Sequence, residues 1–567
     1  MTISLPAEPL FILGTLQSHG YEVYIVGGAV RDLIVYSLKQ QVGEKLQPLD
    51  KTITDYDFTT NATPEQILAI FPESFYENQF GTVSIAPKHL REMMGMGATV
   101  VMNSLDPRLR GDDKQETEDD SGQEDNNVKP EDDKETRKKV IDVAKATKIH
   151  VSLSVAEAEI TPTKQEHNYE ITTFRSEGSY EDHRRPSEVK WGKTLEDDLS
   201  RRDFTINAMA IKVAQPIITN WLAENQQWIL GSSPRMTAQL AVIELNTIDY
   251  KLIDLYGGMK DLADGIIKTV GDPAQRFEED ALRMLRAIRF CVQLKMKMTD
   301  EVFAAISGLA EDINHVSWER IRDEFLKMLA SSQPKLAIEL LDETGLLHFL
   351  LPELREGKGM TQGGHHTTDV WTHSLDALDT CPSKDPIVRF ATLLHDVAKP
   401  RTVQIRDREI TFYSHEILGA RVAYGIAQRF RLPKKDCDRI FTLVRYHMFY
   451  YQTYHTDAAV RRFMRNVGLE NVDDILDLRE GDRLGSGARQ TSWRLEEMKA
   501  RMIEQLHQPF AITDLAIDGN DLMTEFVLKP GPQIGKILKT LFEEVLEKPE
   551  LNQKEILLEK AKGLLDK

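Results

Sequence analysis

Between about Lys88 and Glu166 the chain stops alternating apolar and polar residues, and that break limits the possible folds more than any other feature. The stretch includes NSLDPRLRGDDKQETEDDSGQEDNNVKPEDDKETRKK, which is polar and almost free of aromatic rings. Such a composition cannot bury enough apolar surface to offset its ordering entropy, so most of it is expected to be disordered. Within it, IDVAKATKIHVSLSV can form a helix or an extra strand. On either side, FGTVSIAP and NYEITTFR read as strands, so the ordered fold must close across the gap. A second excursion, from about Val213 to Lys251, again separates two strand-like segments, and from Asp272 onward helical periodicity dominates. The expected class is α+β: a mixed-sheet head over 1–271, interrupted at about 88–166 and 213–251, then an all-helical body. The body divides into a neck over 272–345, a domain over 346–500 and a tail over 501–567.

The net charge of −19 argues at first against a nucleic-acid partner. Between Asp112 and Arg137, however, stand 12 acidic and 4 basic residues, so that segment carries −8 and the rest of the chain −11. An RNA would be held by basic patches and not by overall charge. No apolar run reaches the length of a membrane span, and MTISLPAEPL lacks the basic and apolar regions of a signal peptide. Cys291, Cys381 and Cys437 stand far apart with no C-x-x-C spacing, so a reducing, cytoplasmic setting is expected.

Asp55 and Asp57, in TDYDFTT, project to one face if the segment is extended, and paired hard oxygens there can hold Mg²⁺ against a nucleoside triphosphate. Upstream, YIVGGAVRD is an apolar strand ending in Gly27-Gly28, with Arg31 at the start of a helix. Glycines let a bulky anion approach, and amides at a helix start donate to phosphate. This is neither a Walker loop nor a G-x-G-x-x-G fingerprint. Glu170, on the strand NYEITTFR, can complete a carboxylate trio. In LEDDLSRRDFTINAMAI, Arg201 and Arg202 offer planar donors to phosphate and Asp203 an acceptor to a ribose hydroxyl; a structural salt-bridge cluster is the alternative.

The stretch RFEEDALRMLRAIRF reads as one helix in which Asp280, Arg283 and Arg286 are spaced by three. An aspartate accepts from an amino group and an arginine donates to a ring nitrogen. That pattern fits the Watson–Crick edges of cytosine and adenine, and it mispairs with uracil and guanine. An ordinary ion-pair helix has the same spacing.

The order GGAVRD, DYDFTT, YEITTFR, RRDFTINA, LYGGMKDL and FEEDALRMLRAIRF resembles the tRNA nucleotidyltransferases, the CCA-adding enzymes, within the polymerase-beta-like superfamily and its bacterial poly(A) polymerase branch. The resemblance covers residues 20 to about 330 outside the insertions. It implies a polymerase-beta-like nucleotidyltransferase head, Mg²⁺ binding by Asp55 and Asp57, and triphosphate and sugar contacts by Gly28, Arg31 and Arg202. It further implies base selection by Asp280 and Arg283 with support from Arg286, and a phosphate contact by Arg289. The partners it implies are the tRNA 3′ end, CTP and ATP, with C, C and A added in turn.

Further on, His373 in DVWTHSLDAL, His395-Asp396 in RFATLLHDVAKP and Asp482 in LREGDRLGSG form an H…HD…D order that resembles the HD-type phosphohydrolases. Imidazole and carboxylate together suit a divalent metal of unspecified identity. His415 and His447 lie near in sequence and can line the cleft. Some CCA-adding enzymes carry this module and remove 2′-phosphates or open 2′,3′-cyclic phosphates; a metal-bound but idle fold is the alternative. The tail also resembles the family, with Pro532 and Gly535 opening a helix that can touch RNA phosphate or serve only as a cap. Two other readings stay open: a poly(A) polymerase, or a hydrolase with an inert head. Deleting residues 104–137 is expected to leave nucleotide addition nearly unchanged, and a primer-extension assay on the shortened protein checks this.

Overall fold

The computed structural model describes residues 5–41, 53, 55–77, 81–94, 168–176, 190–214, 250–362, 368–406 and 409–565. The remainder of the two expected insertions, 95–166 and 215–249, lies outside them. The described residues form two compact units, one up to Val316 together with 343–346, the other comprising 317–342 and 347–565. Residues assigned above to a neck divide between the two.

The first unit is built on seven strands: β1 (Val23–Val26), β2 (Asp57–Thr60), β3 (Phe75–Glu77), β4 (Thr82–Ile85), β5 (Tyr169–Thr173), β6 (Met209–Val213) and β7 (Tyr250–Asp254). Their order is β3-β4-β5-β2-β1-β6-β7. Every neighbouring pair is antiparallel except β2 with β5, so the sheet is mixed and the expected α+β class is the one observed. β1 reads VYIV and is buried throughout, as a strand covered on both faces should be. Val23 and Ile25 enter the larger core with Leu13 and Leu33. Tyr24 and Val26 face the other way, onto Phe174, Leu195 and Leu199.

The same register sets the functional face. Val26 pairs with Asp57 and with Ala210, and Asp57 pairs with Glu170, so these four side chains share one side of the sheet. The short helix Leu195–Ser200, opened by a Thr194–Asp197 capping box, lies on that side through Leu195 and Leu199. The helix Leu282–Leu294 docks beside it, Phe290 meeting Phe204 edge-on at 5.5 Å.

Two local expectations are corrected. Residues 88–94, placed above in the first insertion, continue the head: Pro87–Met93 is helical, with Leu90 and Met94 buried in the core. The stretch 276–290 is not one helix. Pro273–Glu279 ends, Asp280 is extended at φ −152° and ψ 101°, and Leu282–Leu294 starts afresh. The Asp280 carboxylate takes the Leu282 amide at 3.2 Å, a side-chain cap that competes with helix continuation and that i,i+3 spacing does not reveal.

The second unit is almost wholly helical. Phe325, Phe390 and Phe430 form a buried ring cluster with centroids 5.0–5.4 Å apart. Around it stand helices Val370–Thr380, Pro386–Leu394, His415–Arg429, Lys434–Tyr446 and Val472–Gly485. Toward the C-terminus, Gly519–Phe526, Pro532–Glu547 and Lys554–Leu565 share a small core of their own. Buried Arg461 ties helix Asp457–Val467 to the end of Pro532–Glu547, donating to the carbonyls of Leu546 at 2.8 Å and Glu547 at 3.0 Å. The three cysteines are buried and free. Among the described residues no helix is long and apolar enough to cross a membrane.

Candidate active sites

In the first unit a carboxylate group and an arginine group meet on the sheet face. Asp57 begins β2, with Asp55 two residues before it and Glu170 beside it on β5. Burial, then the charge of Asp55, drives the Asp57 carboxyl up to about 7; Arg202 and Arg286 act against this and Glu170 adds to it. A side chain so short of positive charge is what a divalent cation would relieve, so the donor set fits one.

The turn after β1 keeps the space above Asp57 open. Gly27 has φ +75°, and a Cβ there would lie 3.0 Å from Arg202 Nη1 and 3.2 Å from Asp57 Oδ2. The positive φ favours glycine here, and an added methyl would crowd both side chains. Gly28, the residue singled out from sequence, begins the helix Gly28–Gln41 and lies under the Arg31 guanidinium. Arg31 grips Asp32 through Nε at 2.7 Å and Nη2 at 2.9 Å, and donates from Nη1 to Asn207 at 2.9 Å.

Arg201, Arg202, Arg283 and Arg286 are each held by a carboxylate. Arg202 donates to Asp198 at 3.0 Å, and Arg201 takes the other oxygen of that fully buried residue. Burial opposes ionisation of Asp198, but the two guanidiniums hold its carboxyl below the usual range. Arg286 binds Asp203 Oδ2 with Nε at 2.7 Å and Nη2 at 2.6 Å. Arg283 is fixed by Glu279 at 2.6 Å and by the carbonyls of Arg276 at 3.0 Å and Arg201 at 3.3 Å. Arg289 lies 4.1 Å over the Phe290 ring, with Arg31 at 5.3 Å from the same centroid.

Asp203 departs from expectation. Its Oδ1 accepts from the Phe204 amide at 2.8 Å and from Asn207 at 3.3 Å, while Oδ2 is taken by Arg286. With its acceptor sites filled in a buried position, it braces Arg286 and the turn, and the ribose contact expected of it is not supported. Asp198, Asn207 and Glu279, which do this bracing elsewhere, were not singled out from sequence. Asp198 stands beside the R-R-D run and Glu279 beside Asp280 in RFEED, while no local pattern marks Asn207.

In the second unit His373, His395, Asp396 and Asp482 converge from three helical segments, and His415 and His447 join them, all buried. The six make two groups, His373–His395–Asp482 and Asp396–His415–His447, each with ligand atoms within 4.8 Å of one another. Nε2 of His373 lies 3.1 Å from Nε2 of His395 and 3.2 Å from Asp482 Oδ1. Asp396 joins the groups: Oδ2 lies 3.2 Å from His395, and Oδ1 lies 3.3 Å from His415.

The tautomers suit a cation. His395, His415 and His447 each place Nδ1 2.7 Å from a backbone carbonyl, of Thr392, Phe412 and Val444. Nδ1 then carries the proton and the Nε2 lone pairs face inward. Burial, then His395 and His415, pushes His447 down to about 3, so it stays neutral. Lys399 lies 2.6 Å from Asp396, and Arg479 donates to Asp482 Oδ2 at 2.6 Å. This donor set fits one or two divalent ions. Sequence spacing placed His415 and His447 only near the cleft, because each sits at a helix end with no short-range partner pattern.

The poly(A) polymerase head-domain model matches residues 23–138 and 134–222. A model for the RNA and SrmB-binding site of polymerase A matches 295–357, and one for tRNA nucleotidyltransferase domain 2 matches 427–561. An A-adding tRNA nucleotidyltransferase of Deinococcus radiodurans is 33% identical over 365 residues, 62% of this chain and 75% of that protein. A CCA-adding enzyme of Anoxybacillus flavithermus is 25% identical over 555 residues, 98% of this chain and 96% of the relative. The crystal structure of the Bacillus stearothermophilus CCA-adding enzyme in complex with CTP shares the fold, with a TM-score of 0.56 at 23% identity, covering 99% of this chain and 98% of the other.

The Asp57 environment has a measurable cost. The folded chain keeps the Asp57 proton up to about pH 7, whereas the unfolded chain loses it near 3.8, so stability falls as pH rises between those values. In the absence of divalent cations Asp57→Asn is expected to stabilise the fold above pH 7 by up to about 4 kcal/mol, with the gain vanishing below about pH 4. Thermal unfolding followed by circular dichroism at pH 8 and pH 4 checks this; equal melting at pH 8 would contradict it.

Proposed function

The chain belongs to the tRNA nucleotidyltransferase family that shares the poly(A) polymerase head, and on that premise we propose that it adds C, C and A to the 3′ end of tRNA from CTP and ATP without a template. The observation that carries this reading is the meeting of Asp55, Asp57 and Glu170 with Arg202 and Arg286 on one sheet face. Asp55 and Asp57 would hold Mg²⁺, which would supply the positive charge that in-line displacement at the α-phosphorus needs. The chain's residues do the rest by binding and orientation. Amides at the start of helix Gly28–Gln41 donate to the triphosphate, and Gly27 leaves room for it beside Asp57. Arg31, Arg202 and Arg289 hold phosphate oxygens, while Asp203 acts only through Arg286. The primer's 3′-oxygen bonds to the α-phosphorus as pyrophosphate leaves.

Base choice rests on Asp280 and Arg283. The Arg283 guanidinium is clamped by Glu279 and two carbonyls, so its donors keep one direction and an incoming base must match them. Cytosine and adenine offer the ring-nitrogen acceptor and amino donor that this pair needs; uracil and guanine leave mispaired polar groups costing about 1–3 kcal/mol each. The setting that follows for a tRNA end-processing enzyme is the cytoplasm.

The helical unit supports phosphohydrolysis as a second activity, on the two groups of ligands joined through Asp396. The histidines and aspartates of the two groups would hold divalent ions, which would supply Lewis-acid activation of water and of a phosphate ester. Thr392, Phe412 and Val444 fix the imidazole tautomers through their carbonyls, and Arg479 orients Asp482. Water adds to phosphorus, the bond from phosphorus to a ribose oxygen breaks, and that oxygen leaves with the proton.

Purified protein given tRNA lacking its 3′ end is expected to incorporate from CTP and then ATP. Extension only of tRNA already ending in CC, by ATP alone, would instead match the A-adding relative, and long CTP-independent A tails would make it a poly(A) polymerase. His395→Ala is expected to abolish release of phosphate from 2′-phosphorylated nucleotide while leaving CTP incorporation unchanged. Loss of both in a folded variant would contradict separate sites.

A further inference from the structure

A cleft of about 300 Å³ opens beside the histidine–aspartate cluster. Phe449, Tyr450 and Trp493 supply aromatic surface, and Arg479, Arg483 and Arg494 supply the charge; among the described residues no carboxylate lines it. That is the reverse of a chain carrying −19 overall. Trp493 is 59% exposed and Tyr450 67%, so large rings stand in solvent where burial would be the usual fate. Arg494 stacks 5.1 Å from the Trp493 ring, and Arg479 lies 5.7 Å from Phe449.

The cleft is one side chain away from the cluster. Arg479 lines it and donates to Asp482 Oδ2 at 2.6 Å, and Asp482 Oδ1 lies 3.2 Å from His373 Nε2. Arg479 and Arg483, four residues apart on helix Val472–Gly485, flank Asp482. Exposed rings bind unpaired bases by stacking, and arginines bind phosphate, so rings with arginines leading to a phosphohydrolase centre have the composition of a nucleotide subsite.

We propose that this cleft receives the base and ribose of a terminal ribonucleotide whose 2′- or 2′,3′-cyclic phosphate is the substrate of the histidine–aspartate centre. The base stacks on Trp493 or Tyr450, and Arg483 and Arg494 hold the phosphate toward Asp482. The hydrolytic part rests on the reading given under Proposed function; the binding part does not. The ligand's chemistry belongs equally to a free nucleotide and to an RNA end, and the two are separated below.

The test uses the full-length protein and labelled adenosine 2′,3′-cyclic monophosphate in equilibrium dialysis. The head is untouched by substitutions in the cleft, so its nucleotide binding cancels between variants. Trp493→Ala is expected to weaken binding on the order of tenfold, with Trp493→Phe largely restoring it and inorganic phosphate binding unchanged. Arg483→Gln is expected to weaken both nucleotide and phosphate. An unaltered affinity in Trp493→Ala, or an equal loss for nucleotide and phosphate there, would overturn the stacking subsite. Binding that survives in His395→Ala without turnover upholds the cleft even if the hydrolase reading fails. Turnover with unchanged KM in Trp493→Ala overturns the cleft while the hydrolase stands. A short oligoribonucleotide ending in a 2′,3′-cyclic phosphate that binds more tightly than the mononucleotide, with the same loss in Trp493→Ala, supports the cleft and identifies the RNA end. Binding of the mononucleotide alone supports it with a free nucleotide as ligand.

Discussion

A half-buried carboxyl on the sheet face, crowded by other acids, is the constraint that organises the head. Asp57 is only partly solvated where it stands, the guanidiniums of Arg202 and Arg286 lie near it, and each arginine of the site needs a fixed position to be useful. The solution is a carboxylate behind each arginine: Asp198 for Arg202, Asp203 for Arg286, Glu279 for Arg283 and Asp32 for Arg31. Such buried pairs are poor sources of stability, because desolvation cancels much of the Coulomb gain. Their use here is geometric. They hold flexible side chains in one rotamer, so less ordering entropy is lost when a polyphosphate arrives.

The two units contrast in donor chemistry. Around Asp57 the head site offers carboxylate oxygens, a set suited to a hard, strongly hydrated ion. The helical unit offers four imidazoles and two carboxylates, a set suited to transition metals as well. The imidazoles reach their orientation through helix ends. His395 and His447 follow helix C-termini and His415 opens a helix, and each ring Nδ1 meets the carbonyl three residues earlier, so the local path of the chain selects the tautomer. A histidine inside a helix would meet carbonyls already engaged by the i+4 amides.

Much of this was legible in the sequence wherever function depends on short spacing. The D-x-D pair, the Gly-Gly turn and the R-R-D run are local and can be picked out by spacing alone, although the strand begins only at Asp57 and Asp55 precedes it. Glu170 was within reach because its strand alternates, although its register against Asp57 needs a parallel pairing across the whole insertion. Spacing failed where side chains compete with backbone or with one another. Asp280 breaks a helix by capping it, and Asp203 is consumed by Arg286. Gly27, not Gly28, carries the positive φ, a difference that only the path of the chain determines. His415 and His447 are 32 residues apart and meet at 3.3 Å only after two helices have packed.

The crossing of helices Val370–Thr380 and Val472–Gly485 carries a consequence of its own. A Cβ at Gly481 would lie 2.6 Å from the Ala377 carbonyl oxygen, and one at Gly485 would lie 2.5 Å from the Ala377 nitrogen. Backbone cannot yield as a side-chain tip can, so even one added methyl must push the helices apart. Asp482 stands between those two glycines and His373 stands one turn from Ala377, so the same displacement opens the ligand shell. The smallest mutational step in a packing seam is thereby also a chemical lesion, and cation loading in the helical unit reports on interhelical fit as directly as on the ligands themselves.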